Sequence, residues 1–158
     1  MVHTAFPFLN REVQDEQELI GPAVQATMTV MRASLASHVQ RVVLTSSMAA
    51  IMNCKNIQKN HYTTDDWAEE SECDPMQKSK KLSERAAWKF VNELPSDQNI
   101  ELTTILPGLI LGPHINKNEF TSCKFLKSIM MSTSDVQRGL PFIQQPYVDV
   151  RDVAMAHL

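Results

Sequence analysis

The chain has 158 residues, 43% of them apolar and 21% charged, with a net charge of -3. That length suffices for one domain with a core, and the charge balance leaves no electrostatic footprint for nucleic acid or an anionic membrane. No apolar run approaches the ~18 residues of a membrane span, Met1 opens no leader-like segment, and Cys54, Cys73 and Cys123 form no C-x-x-C pair, so the expectation is a cytoplasmic protein with reduced thiols.

"MVHTAF" (1–6) is short, apolar and extended in character. From Pro22 to Ser37, Val24, Met28, Met31 and Leu35 recur at helical spacing, and Pro22 suits a first helical turn. "HVQRVVLTSS" (38–47) has a β-branched centre between polar ends and reads as a buried strand. His61 stands near Asp65 and Asp66, but the spacing matches no compact metal motif. The next helix covers about 76–94, with Leu82, Ala86, Phe90 and Leu94 on one face, and Lys78, Lys81, Glu84 and Lys89 keeping other faces polar. "NIELTTILPG" (99–108) is a third buried strand, closed by Pro107-Gly108. After His114, "CKFLKSIMM" (123–131) reads as a short helix, "PFIQQPYVDV" (141–150) as extended, and "RDVAMAHL" (151–158) as the start of a helix.

The order is β-α-β-loop-α-β, with strands too apolar to leave a face in water. It predicts an α/β fold, a parallel sheet flanked by helices. Glycine is scarce: Gly21, Gly108, Gly112 and Gly139 are the only four, and no G-x-G-x-x-G or G-x-x-x-x-G-K pattern occurs.

Five stretches carry a family likeness: "VHTAFPF" (2–8), "PAVQATMTVMRA" (22–33), "QRVVLTSSMAA" (40–50), "SKKLSERAAWKF" (79–90), and "LPGLILGP" (106–113) followed by "VDVRDVAMAHL" (148–158). In this order they resemble the extended short-chain dehydrogenase/reductase family (the NAD-dependent epimerase/dehydratase type), closest to its dihydroflavonol-reductase-like branch. The resemblance implies a partial Rossmann sheet, its second half, with residues 1–6, 39–46 and 100–106 as strands 4, 5 and 6 of the order 3-2-1-4-5-6. Strands 1 to 3, with the glycine fingerprint and the residue that selects NAD or NADP, would precede them. Residues 1–113 would form part of the NAD(P)-binding domain, and 114–158 the start of the substrate-binding part.

In such reductases a tyrosine protonates the carbonyl oxygen, a serine hydrogen-bonds it, and a lysine four residues after the tyrosine holds the nicotinamide ribose. Lysine and tyrosine share a helix face at that spacing, and the positive charge lowers the phenol pKa. Ser47 matches the serine, with adjacent Ser46 the other register, and Lys80 matches the lysine. Met76 stands in the tyrosine's place, and a thioether has no proton to donate. Tyr62, Tyr147 and Cys73 are poor substitutes. The resemblance assigns Thr4, Ala5, Lys80, Pro107, Gly108, Leu109 and Ile110 to NADP or NAD; Phe6 replaces a usual small serine.

By resemblance, the function is NAD(P)H-dependent reduction of a carbonyl, or oxidation of an alcohol, on a small organic substrate. The chain alone is expected to be inactive and to bind cofactor weakly. The alternative is a non-catalytic relative or partial gene product acting through protein–protein contact. An unpaired strand edge on the strand-4 side would favour self-association.

Overall fold

The computed structural model describes residues 1–7, 13–53, 59–113, 115, 121–131 and 146–158. Strands β1 (Val2–His3), β2 (Arg41–Thr45) and β3 (Glu101–Ile105) form one parallel sheet in the order β1-β2-β3. Val2 lies opposite Val43, and Arg41 to Thr45 lie opposite Glu101 to Ile105. A second parallel pair joins β4 (Leu109–Leu111) to β5 (Tyr147–Asp149), across the division expected near residue 113. The helices are α1 (Gln17–Ala36), α2 (Pro75–Asn92), α3 (Thr121–Met130) and α4 (Val150–Ala156). The strands are shorter than expected, β1 above all, although Met1 still adds to the ladder: its carbonyl accepts from the Val43 N–H at 2.9 Å. Cys54, Phe8 and the start of the expected extended stretch at 141–145 lie outside the described residues.

Three expectations for the helices are corrected. Helix α1 begins at Gln17, so Pro22 sits inside it rather than in its first turn. Asp15 Oδ1 accepts from the Gln17 N–H at 2.9 Å and anchors the earlier start. Burial of Leu19 and Ile20 offsets the helix bond that proline cannot make. Met31 is buried as expected, but the rest of the buried stripe is Ala23, Thr27 and Ser34, each one position before Val24, Met28 and Leu35, because small side chains let α1 approach α2 closely.

Helix α2 starts at a capping box: Asp74 accepts from the Gln77 N–H, and the Gln77 side chain accepts from the Asp74 N–H, with Pro75 following the cap. Lys81 and Glu84, expected on a polar face, are buried. The Lys81 ammonium donates to the Ala68 carbonyl at 2.7 Å and pairs with Glu70 at 3.0 Å, pinning the preceding loop to α2. Lys81 and Glu84 each have specific polar partners, which offset the cost of burying their charges.

The core gathers Met31 of α1, Ala87 of α2, Val42 and Leu44 of β2, and Ile100. Side chains alternate along a strand, so Val42 and Leu44 place the two long helices on one sheet face. Thr45, pointing the other way, meets His157 beyond α4 at 2.7 Å.

Candidate active site

The same alternation decides what happens at the end of β2. Ser46 continues the row of Val42 and Leu44 towards α2, is buried, and donates its hydroxyl to the Glu84 carboxylate. Glu84 also accepts from the Trp88 indole N–H at 3.3 Å. Ser47 then turns the chain: its backbone is extended, and its hydroxyl oxygen accepts from the Ala49 N–H at 3.2 Å, capping a short 3-10 turn at Met48–Ala50. Among the described residues the Ser47 hydroxyl donates to no acceptor, whereas the Ser46 hydroxyl donates to Glu84.

Met76, Lys80 and Glu84 follow one another at i, i+4 and i+8 along one stripe of α2. Glu84 is the member that pattern reading missed, although the four-residue step from Lys80 was there to find it. Lys80 lies against a small cavity shared with Ala5, Phe6, Thr27, Ser46, Ser83 and Glu84. Its ammonium has no carboxylate or hydrogen-bond acceptor among the described residues and sits 3.5 Å from the centroid of the Phe6 ring. Burial lowers its pKa to about 8. Two nearby polar atoms, His3 Nε2 and Ser83 Oγ, are buried without a partner among the described residues. Burial, then the Lys80 charge, holds His3 below the ordinary imidazole pKa.

At Met76 the backbone carbonyl accepts from the Ser79 hydroxyl at 2.7 Å. Tyr147 is 77% exposed on β5. The Cys73 thiol donates to Asn53 Oδ1 at 3.3 Å, and burial pushes its pKa up, so it is a poor proton donor at neutral pH.

The turn after β3 is set beside the serines. The Met48 N–H donates to the Pro107 carbonyl at 3.1 Å, and the Leu109 N–H donates to the Pro146 carbonyl at 2.8 Å. Gly108 is obligatory here: a Cβ would lie 2.1 Å from the Pro146 oxygen. Gly112 has φ +144° and would press a Cβ to 2.6 Å from Val150. Of the residues named from the sequence, the cavity gathers Ala5, Lys80 and Ser46. Pro107 and Gly108 stand by the turn that Ser47 begins, Leu109 and Ile110 belong to β4, and Thr4 is exposed after β1.

A parallel sheet flanked by helices, with a serine turn at the end of β2 and a lysine on α2, is a Rossmann-type α/β arrangement. The chain belongs to the 3-beta hydroxysteroid dehydrogenase/isomerase family, matched over residues 1–158. It is 34% identical to the NADPH-dependent methylglyoxal reductase GRE2 of Saccharomyces cerevisiae, over all of this chain and 51% of that protein. It is 32% identical to the cinnamoyl-CoA reductase CAD2 of Medicago truncatula, over 99% of this chain and 48% of that one. The solved structure of yeast methylglyoxal/isovaleraldehyde reductase Gre2 complexed with NADPH superposes with a TM-score of 0.81 at 33% identity, covering 99% of this chain and 50% of the other. The chain thus spans about half the length of the curated relatives it matches. The expected family and fold hold, and NADPH is the cofactor named for the yeast relative.

The local geometry does not fit the nicotinamide ribose that the resemblance places on Lys80. The cavity beside the ammonium measures about 10 Å³, room for no more than one water, and an aromatic ring covers the cation.

Proposed function

We propose that the chain derives from an NAD(P)H-dependent reductase of small carbonyl compounds, and that these 158 residues alone do not catalyse the reduction. One observation carries this: Met76 occupies the α2 position one turn before Lys80, where the reaction needs a proton donor. Ser47 can still donate a hydrogen bond to a carbonyl oxygen, and Lys80 can supply positive charge. Neither replaces a positioned acid, whose removal costs about 10²–10⁴-fold. The absence of a glycine fingerprint from the 158 residues weakens nucleotide binding further. In this reading, residues 114–158 begin the substrate-binding part and the protein is cytoplasmic.

The test uses the purified chain with NADPH and methylglyoxal, the substrate named for the yeast relative. The expected result is no NADPH oxidation above background and no saturable nicotinamide fluorescence change at micromolar cofactor. Met76→Tyr is expected to stay inactive. Turnover by the unaltered chain would overturn the reading; turnover by Met76→Tyr alone would reduce the defect to that one residue.

A second reading, a non-catalytic role through protein contact, is favoured by β1. Among the described residues this edge strand pairs only with β2, and Val2 is 51% exposed.

A further inference from the structure

We propose that Phe6 is an aromatic plug: its ring occupies the place over the Lys80 ammonium that a nicotinamide ribose would take, so ring and nucleotide exclude one another. The inference rests on reading Lys80 as the family lysine, and it goes further by naming what fills its seat.

Geometry supports it. An ammonium seeks acceptors, and a buried one without them is costly. Lys80 has none among the described residues, yet its nitrogen lies 3.5 Å from the ring centroid, where the negative face of the π system substitutes for them. The space left is about 10 Å³. Around it stand Ser83, whose hydroxyl is buried and unpartnered, and Ser46, whose hydroxyl is taken by Glu84. These polar groups ring an apolar intruder, an arrangement that a polar ligand would satisfy better. The other titratable groups nearby are His3 and Glu84, and the lowered Lys80 pKa traces to burial alone.

The experiment follows the Lys80 resonance in the full chain after reductive ¹³C-methylation of lysines, assigned with Lys80→Arg. The unaltered chain should titrate near 8. Phe6→Ser readmits water and should raise the midpoint by about one pH unit or more. Phe6→Leu keeps apolar bulk without a π face and should lower it, whereas Phe6→Tyr keeps the ring and should leave it near the starting value. Millimolar reduced nicotinamide mononucleotide, which needs no pyrophosphate loop, should move the Lys80 resonance in Phe6→Ser and not in the unaltered chain.

An unchanged midpoint in Phe6→Ser overturns the plug. So does an equal response of the two proteins to the nucleotide, whether both move or neither does. NADPH turnover by the unaltered chain would instead sink the reading of the site, and it is scored in a separate assay.

Discussion

The Ser46 hydroxyl donates to the Glu84 carboxylate, tying the end of β2 to the middle of α2. Through this bond the serine turn and the lysine helix keep their relative placement. Glu84→Ala would leave the buried Ser46 hydroxyl and the half-buried Trp88 indole N–H without their shared acceptor. Hydrogen bonds to charged groups are worth about 1.5–3 kcal/mol, so a loss of about 2–3 kcal/mol is expected in urea unfolding, with Glu84→Gln costing about half. A loss below about 0.5 kcal/mol for Glu84→Ala would refute the tie.

Lys80 gives a pH dependence whose sign can be fixed. Its folded pKa of about 8 lies below the ordinary lysine value of 10.5, so between those limits the unfolded chain binds more protons. Stability therefore rises with pH from about 8 to about 10.5, and the full cost of burying the cation is felt below 8. Lys80→Met should stabilise the chain by about 1–3 kcal/mol at pH 7, and the gain should shrink across that window. Chemical denaturation at pH 7, 9 and 10.5 checks it; a gain independent of pH would contradict it.

Gly108→Ala places a methyl group against the Pro146 carbonyl, a backbone atom that cannot swing aside. The β4–β5 pair must separate for the side chain to fit. We expect loss of amide protection at Leu109, whose N–H bonds that same carbonyl, and destabilisation of about 1–3 kcal/mol. Unaltered hydrogen exchange at Leu109 would show that the turn relaxes without opening.

The side of β1 that has no strand partner among the described residues predicts association of the isolated chain. Sedimentation velocity should show a concentration-dependent shift away from monomer. Val2→Lys, a charge on the edge strand, should suppress it. A chain that stays monomeric at high concentration, or that melts sharply above ~60 °C independent of concentration, would rule this out.

Much of the fold was legible because its signals are local. The β-branched centre of 38–47 and the four-residue apolar spacing of 76–94 act within a few positions of themselves, and a strand and a helix form there, at Arg41–Thr45 and Pro75–Asn92. The capping pair Asp74 and Gln77 is a local signal that pattern reading missed. The start of α1 was less legible. Asp15 and the burial of Leu19 and Ile20 outweigh a proline that points to a later start. Two of the four residues assigned to polar faces of α2 depart from that expectation for a different reason, while Lys89 stays exposed. Lys81 and Glu84 are buried because Ala68, Glu70, Ser46 and Trp88 come to meet them from other segments.

The sequence by itself determined the order of the first three strands and the two long helices, the family, and the methionine one turn before Lys80, since each depends on residue type and spacing along the chain; β4 was not among the expected strands. Only the tertiary structure decided which serine is committed and what lies over Lys80. Ser46 turns to Glu84 because it continues the helix-facing row of β2, while Ser47 caps the turn. Phe6 reaches Lys80 because parallel pairing sets β1 beside β2 and carries the chain past α2. Contacts between residues dozens of positions apart are fixed by sheet register and helix packing, which local sequence pattern does not encode.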